Sequence, residues 1–228
     1  MDINKLAKMI DHTLLKPFVN NEDLKRHCEE AMKYGFKTVA INNAVVPFCK
    51  DVLEGSDILC DAAVGFPLGQ STLETKVFET KDVIHKGAKE VDYVVNIVEI
   101  KNKNWSFIED EMKRIVDVCN KNEVVSKVIF ETCYLTNEEK RILCDVAMKV
   151  EPTFIKTSTG FGTAGATLED IKLMKECVGD KIKIKASGGI RSLEDMLAMV
   201  DAGASRIGTS SGVKIIEDFK KQNSLEGD

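Results

Sequence analysis

The stretch from residue 154 to residue 162, FIKTSTGFG, places one lysine, Lys156, at the end of a short apolar run. Small hydroxyl residues follow the lysine and lead into a glycine-rich turn. A strand of a parallel barrel ends in this way at the barrel mouth, where reactive side chains meet a substrate. A second lysine, Lys185, ends the next predicted strand, and Asp92 lies in the apolar segment VDYVVN. We therefore predict that these three side chains share one site.

Two lysines side by side can do chemistry that one lysine cannot. An isolated lysine has a pKa near 10.4, so only roughly one molecule in a thousand offers a neutral amine at pH 7. A second ammonium and the exclusion of water both disfavour the charged form, and a shift of about 3 units corresponds to about 4 kcal/mol. A neutral amine condenses with an aldehyde or ketone, and a carboxylate such as Asp92 can relay the protons. The pattern predicts a metal-free aldol cleavage or addition that uses no cofactor.

Two glycine-rich segments follow the last two predicted strands and could hold a phosphate group. The first, ASGGIR, contains Gly188 and Gly189, and the second, GTSSG, contains Ser210 and Ser211 and opens the last helix. Barrels frequently bind phosphate with these two loops, because glycines let backbone amides approach the anion and a helix N-terminus faces it. The alternative for Gly188 and Gly189 is a simple tight turn.

Three other motifs are misleading in this chain. The segment GFGTAG at residues 160–165 matches a dinucleotide-binding pattern, but the acid that should hold the ribose is replaced by Lys185. The segment GTSSG matches a hydrolase nucleophile motif, but no histidine follows His85. His12 and His27 are too scattered relative to His85 to indicate a metal site, and a structural role is favoured for His12.

The elements that must position these residues alternate between short apolar strands and amphipathic helices. An open doubly wound sheet would share much of this rhythm, but eight units favour closure. We therefore predict a (β/α)8 TIM barrel, an α/β fold, as a single domain over residues 1–228. The predicted strands lie near residues 9–13, 38–42, 58–64, 91–96, 126–131, 153–157, 182–186 and 205–209.

Alternation along each strand predicts which side chains face the barrel axis. A barrel built only for stability fills its interior with branched apolar residues, so inward charges indicate a site. The pattern leaves Lys127 undecided between function and structure, and it favours a structural role for Glu131 and Lys183. The inward parity of Lys183 implies a burial cost that the sequence does not explain. The inward groups are Lys127 with Ile129 and Glu131, Asp92 with Val94 and Asn96, and Lys185 with Lys183.

Composition excludes several classes of protein. The chain has 228 residues, a formal net charge of −5 and no long basic run, so we expect no nucleic-acid partner. No apolar run approaches the length of a membrane span, and the first residues lack the apolar segment of a signal peptide, so we expect no membrane partner. The seven cysteines include no Cys-x-x-Cys pair, which predicts reduced thiols and a cytoplasmic location.

The motifs together closely resemble those of the deoxyribose-phosphate aldolase family, and they run nearly the whole length of the chain. The resemblance implies reversible cleavage of 2-deoxy-D-ribose 5-phosphate to acetaldehyde and D-glyceraldehyde 3-phosphate in deoxynucleoside catabolism, without a cofactor. Families of this kind often pair through barrel helices, which favours a homodimer. The matching segments are IDHTLLKP (10–17), VGFPLG (64–69), EVD (90–92), KVIFET (127–132), KTSTGF (156–161), KASGGIR (185–191) and RIGTS (206–210).

The resemblance also implies roles for individual residues. Lys156 would form the Schiff base, Asp92 would donate and accept protons, and Lys185 would lower the pKa of Lys156. Asp11 would orient a sugar hydroxyl, and Lys127 would support Asp92. The remaining substrate-binding residues would be Thr157, Gly160, Gly188, Gly189, Ser210 and Ser211, all but Thr157 holding the phosphate.

Three positions depart from the family pattern. Ala40 and Asn43 stand in a segment where members often have Cys-x-Asn-Pro, and Phe161 stands where some members carry a lysine. Three alternatives remain open from the residues alone: another lysine-dependent phosphosugar barrel such as a transaldolase-like or ketose-phosphate aldolase, a non-catalytic phosphosugar-binding regulator, and a nicotinamide oxidoreductase. Trapping with acetaldehyde and borohydride distinguishes the first alternative from the predicted enzyme.

Overall fold

The computed structural model describes residues 2–225, so Met1 and residues 226–228 of the predicted domain lie outside the described residues. Eight parallel strands pair in chain order, and the first also pairs with the last, which closes the sheet. The strands are β1 (Ile10–Leu14), β2 (Thr38–Asn42), β3 (Leu59–Val64), β4 (Glu90–Val94), β5 (Val125–Ile129), β6 (Phe154–Lys156), β7 (Lys183–Ser187) and β8 (Arg206–Thr209).

Helices connect the strands, and several of them begin at side-chain caps that satisfy free backbone amides. Thr136 and Ser192 each form a reciprocal capping box with the acid three residues later. The helices are α1 (Ile3–Ala7), α2 (Asn21–Tyr34), α3 (Val46–Val52), α4 (Leu73–His85), α5 (Ile97–Lys101), α6 (Trp105–Lys121), α7 (Asn137–Val150), α8 (Leu168–Val178), α9 (Leu193–Asp201) and α10 (Gly212–Leu225). In this part of the chain, none is both long and apolar enough to span a bilayer.

The predicted TIM barrel is confirmed, and pairing of β1 with β8 excludes the open sheet. Two predicted strands end early. The segment 91–96 leaves the sheet after Val94, and Asn96 instead caps α5 by accepting from the amides of Val98 and Glu99. The segment 126–131 leaves it after Ile129, and Glu131 adopts a left-handed conformation with φ 54°. The predicted inward alternation is therefore wrong for Asn96 and for Glu131, because polar turns replace the strand.

Two kinds of interior result from the alternation. On β4, Val91 and Tyr93 belong to the apolar core cluster between strands and helices. Asp92 lies between them in sequence and contacts Lys127 across the register of β4 and β5. The barrel axis is thus lined with charge, while the apolar core forms a shell around it.

Lys183 avoids the burial cost that its parity implied. It begins β7 at the N-terminal end of the barrel and is exposed. Its ammonium lies 5.7 Å from the ring centroid of Phe154, its register partner on β6. A lysine at the barrel floor reaches water, whereas Lys185 two residues later does not.

Candidate active site

Seven of the eight strands send charged side chains into the barrel axis. Four carboxylates face four cations there, and all eight residues are buried. Charges at this depth are stable only when they are paired. The strands that carry them are far apart in sequence, so closure of the sheet creates the network. Its members are Asp11, Asp61, Glu90, Asp92, Lys127, Lys156, Lys185 and Arg206.

Asp92 joins the three lysines of this network. Its Oδ1 accepts from Lys127 at 2.8 Å, and its Oδ2 accepts from Lys156 at 2.5 Å and from Lys185 at 2.7 Å. Burial opposes ionisation, but the three ammonium groups hold the pKa of Asp92 well below its usual range. Asp92 is therefore a carboxylate placed between two amines.

The two lysines that share Asp92 differ in charge. Burial lowers the pKa of Lys156, and the nearby Lys185 ammonium lowers it further against the opposing Asp92 carboxylate. Lys185 lies within 2.9 Å of oxygens of three carboxylates, those of Asp11, Asp61 and Asp92. Although burial opposes the charge, these carboxylates raise the pKa of Lys185 above its usual value. The surroundings therefore make Lys156 lose its proton more readily than an ordinary lysine, and Lys185 less readily.

Lys127 and Asp11 lie beneath this pair and have no exposed surface. Lys127 contacts oxygens of Asp61, Glu90 and Asp92, and carboxylates outweigh burial to raise its pKa well above the usual value. Asp11 pairs with Arg206 and Lys185. Asp11 was predicted to orient a sugar hydroxyl and Lys127 to support Asp92. Both lie in the buried lower part of the network, where they pair with its other charged residues.

Sequence reasoning missed Asp61, Glu90 and Arg206. Asp61 and Arg206 lie within predicted strands, where a systematic search for charges in parallel strands finds them. Glu90 has the same parity as Asp92 but lies one residue before the predicted strand 91–96. Burial and the Asp92 charge raise the pKa of Asp61, against the opposing charges of Lys127 and Lys185.

Above the network, the loops at the C-terminal ends of the strands enclose a cavity of about 710 Å³. Lys156 lies at its base, and Gly160, Gly188, Gly189 and Ser210 line it. The two strand loops that were predicted to hold phosphate therefore converge on one cavity with the lysine.

Glycines allow the loops after β6 and β7 to pack backbone against backbone. The amide of Ala166 donates to the carbonyls of Ser187 and Gly188 at 3.0 and 3.1 Å. A Cβ on Gly165 would lie 2.2 Å from the Gly188 carbonyl oxygen, and Gly188 itself has φ +83°. No larger residue fits either position without moving the backbone.

Four predicted substrate-binding residues lie outside the lining of this cavity: Asp11 and Lys127, which are buried in the network, and Thr157 and Ser211. The buried Thr157 hydroxyl donates to the Ser187 carbonyl and accepts from the Ser187 amide, so Thr157 joins β6 to β7. Ser211 begins the last helix, where its carbonyl accepts from Ile215. Alternation explains Thr157, because its side chain points away from the axis that Lys156 faces.

His12 lies at the cavity edge, where its Nε2 is 3.0 Å from Glu30 Oε2. With His27 and Glu30 it forms a group of three possible metal ligands. The two imidazoles are stacked, with centroids 3.9 Å apart, and His27 Nε2 already bonds the His12 carbonyl. Stacked rings direct their lone pairs along parallel planes rather than toward one ion, so the group does not fit a metal. Burial lowers the pKa of His12 to about 4.

Of the three departures from the family pattern, Phe161 bears on the site. Phe161 is exposed at the cavity, and its ring meets Phe66 edge to face with centroids 5.6 Å apart. Positive charge at the cavity comes instead from Lys16 and Arg191 of other loops and from Arg26 of α2. Ala40 is buried on β2, and Asn43 donates to Glu79 of α4.

Comparisons with known proteins find relatives over nearly the whole chain. Residues 5–218 match the model of the DeoC/LacD family of aldolases. A deoxyribose-phosphate aldolase of Lactobacillus acidophilus is 53% identical over 218 residues, which cover 96% of this chain and 92% of that protein. One of Bacteroides thetaiotaomicron is 49% identical over 221 residues, with 97% and 93% covered.

A solved structure gives the same result at lower identity. The tetrameric deoxyribose phosphate aldolase of Aeropyrum pernix is 33% identical and has a TM-score of 0.90, covering 96% of this chain and 92% of that one. The closed barrel and the match over residues 5–218 agree with these relatives. This chain belongs to the DeoC/LacD family of aldolases.

Proposed function

We propose that this protein reversibly cleaves 2-deoxy-D-ribose 5-phosphate to acetaldehyde and D-glyceraldehyde 3-phosphate through a Schiff base on Lys156, in deoxynucleoside catabolism. One observation carries the proposal: Lys156 and Lys185 contact the same oxygen of Asp92, and their pKa values shift in opposite directions. The names of the relatives supply the sugar.

The first half of the reaction forms the covalent intermediate. The neutral Lys156 amine attacks the aldehyde carbon of the open-chain sugar, and the resulting carbinolamine loses water to give an iminium ion. This step needs a proton for the departing hydroxyl. Asp92, coupled to the Lys185 ammonium, is placed to relay it.

The second half breaks the carbon–carbon bond. The proton of the C3 hydroxyl passes to the Asp92 relay, the C2–C3 bond electrons move toward the iminium nitrogen, and D-glyceraldehyde 3-phosphate leaves. The remaining enamine takes a proton at C2, and water releases acetaldehyde and the free amine. Lys185 stays charged throughout and stabilises the carboxylate of Asp92 between transfers.

The phosphate is assigned to the glycine-rich loops. Gly160, Gly188, Gly189 and Ser210 would approach it through backbone and hydroxyl groups, and Ser211 would contribute at the start of α10. Arg191, which also lines the cavity, supplies positive charge on the same side. Asp11 acts on substrate orientation through Lys185 and Arg206, which it contacts.

Trapping the intermediate tests the proposal. Incubation with acetaldehyde and borohydride, followed by peptide mapping, is expected to add a two-carbon label at Lys156. Lys156→Met should take up no label at this position, and Lys183→Met, altered at the barrel floor, should be labelled normally. Labelling with a ketose phosphate but not with acetaldehyde would instead favour a ketose-phosphate aldolase.

The setting of the enzyme is part of the same proposal. We assign it to the cytoplasm, as one domain over residues 1–228 that acts on phosphosugar and aldehyde substrates. Seven free cysteines in the structure are compatible with a reducing compartment. We also propose a homodimer, whereas the Aeropyrum pernix relative is described as tetrameric. Light scattering should give twice the chain mass, and a fourfold mass would contradict the dimer.

A further inference from the structure

Glu131 is a buried acid that contacts Thr159 of the cavity lining and that the aldol chemistry does not use. It follows β5 and is 2% exposed. Its backbone has φ 54° and ψ 61°, a left-handed conformation that residues with a side chain rarely adopt. Conformations of this kind persist where surrounding contacts impose them, and they concentrate at functional sites.

Both oxygens of the Glu131 carboxylate bond one residue of the next loop. Oε1 accepts from the backbone amide of Thr159 at 3.0 Å, and Oε2 is hydrogen-bonded to the Thr159 hydroxyl. The same hydroxyl oxygen accepts from the amide of Phe161 at 3.0 Å. The carboxylate therefore fixes the backbone on both sides of Gly160, which lines the cavity.

Packing holds this loop from two further directions. A Cβ on Gly162 would lie 3.2 Å from the Glu131 carboxyl carbon and 2.7 Å from Cys133 Sγ, so the loop lies directly against the end of β5. On the other side, the ring of Phe161 packs on Phe66. The segment from Thr159 to Gly162 is thus set by contacts from outside the segment.

The negative charge of Glu131 is compatible with a role in positioning the loop and not with direct binding of the substrate phosphate. A carboxylate facing a bound phosphate would repel it, but both oxygens of Glu131 turn toward Thr159. Burial raises the pKa of Glu131, against the opposing hydrogen bonds from Thr159 and the charge of Lys156. The group therefore lies close to the reactive lysine while its acceptors are engaged elsewhere.

We infer that Glu131 is a positioning residue that holds the Thr159–Phe161 backbone in the shape required to bind the substrate phosphate. This rests on the proposed function, because it assigns the phosphate to this loop. Two properties of the site are then separate. Glu131 affects how tightly the phosphate end of the sugar binds, and Lys156 reacts with the aldehyde end.

The test compares phosphorylated and unphosphorylated 2-deoxyribose with Glu131→Gln. Loss of a charge-assisted hydrogen bond to the loop should raise KM for the phosphorylated sugar about tenfold, with kcat within about twofold. The kcat/KM for the unphosphorylated sugar and the rate of acetaldehyde trapping should stay at wild-type levels. Glu138→Gln, an exposed glutamate seven residues later, is the matched control and should change nothing.

Thr159→Val provides an independent variant if Glu131→Gln folds poorly by thermal melting. It removes the hydroxyl that bonds Glu131 and Phe161 but keeps the backbone amide, so a smaller rise in the same KM is expected. An unchanged KM in both variants overturns the inference, as does an equal loss with both sugars.

Calorimetric titration with inorganic phosphate separates this inference from the proposed function. Weaker phosphate binding by Glu131→Gln than by wild type supports the positioning role, even for a protein that shows no turnover. Absence of turnover in a wild-type protein that binds phosphate would overturn the aldolase proposal alone. Equal phosphate binding by wild type and Glu131→Gln would overturn the positioning role alone.

Discussion

Lys76 and Lys156 are both buried lysines paired with a carboxylate, and burial lowers the pKa of each. Lys76 lies on α4, outside the barrel, and its ammonium donates to Glu111 at 2.7 Å and to the Val94 carbonyl at 2.8 Å. Lys156 lies inside the barrel and donates to Asp92 at 2.5 Å. By burial and direction of pKa shift alone, the two sites look alike.

Access and neighbours make the difference between them. Lys76 has no exposed surface, and Glu111 also accepts from the amide of Asn96, so this pair joins α4 and α6 to the end of β4. Lys156 opens on the cavity, and a second ammonium, that of Lys185, shares its carboxylate. A perturbed lysine becomes a nucleophile only where a substrate reaches it and protons can leave.

The largest effect is expected for Lys156→Met. Removing the proposed nucleophile should lower kcat/KM at least about 10⁴-fold, since the covalent step has no substitute. Asp92 keeps its contacts with Lys127 and Lys185, so the fold should survive. Steady-state kinetics and a thermal melt check both statements. Full activity in this variant would remove the distinction between the two lysines.

Lys76→Met is expected to lower the free energy of unfolding by several kcal/mol and to leave catalysis unchanged. Glu111 would be left buried without its partner, which costs about 3–5 kcal/mol in unfolding free energy. Urea unfolding measures the loss, and the activity of the folded fraction should match wild type. Lys76→Met combined with Glu111→Met should recover much of the stability, because no unpaired charge remains. A specific loss of kcat in Lys76→Met would contradict a purely structural pair.

The pH dependence of trapping should move when Lys185 is replaced by Met. Lys156 captures a carbonyl when uncharged, so trapping accelerates as pH rises through its pKa, which lies below the usual 10.5. Removing the Lys185 ammonium takes away a positive charge that lowers this pKa. The rise should therefore shift to higher pH, measured as initial trapping rate against pH. An unmoved profile would mean that burial alone tunes Lys156.

The smallest effect is expected for Lys183→Met, on the same strand as Lys185. Lys183 is exposed at the barrel floor, and its ammonium lies over the ring of Phe154. Its loss should change stability by no more than about 0.5 kcal/mol and leave the trapping profile in place. If Lys183→Met shifted the pH profile of trapping as Lys185→Met does, the position of a lysine along β7 would not matter for the pKa of Lys156.

Much of this arrangement could be predicted because charged residues rarely occupy parallel strands. That rule identified Lys156, Lys185 and Asp92 from local pattern, and the glycine-rich segments pointed to the cavity loops. The prediction of inward side chains was wrong at Asn96 and Glu131, because their strands end before the apolar runs do. Thr157 was predicted to bind substrate because it belongs to the family motif. Its position in the alternation turns the side chain away from the axis, and its hydroxyl bonds the Ser187 carbonyl of β7.

The sequence by itself determined the barrel and the residue types at its axis, because hydrophobic periodicity and strand parity are local properties of the chain. Only the tertiary structure decided which lysine has the lowered pKa and which the raised one. Lys185 meets Asp61, 124 residues away, and Asp11 meets Arg206, 195 residues away. The pKa of a buried amine depends on how many carboxylates surround it. Closure of the barrel sets the number of carboxylates around each lysine.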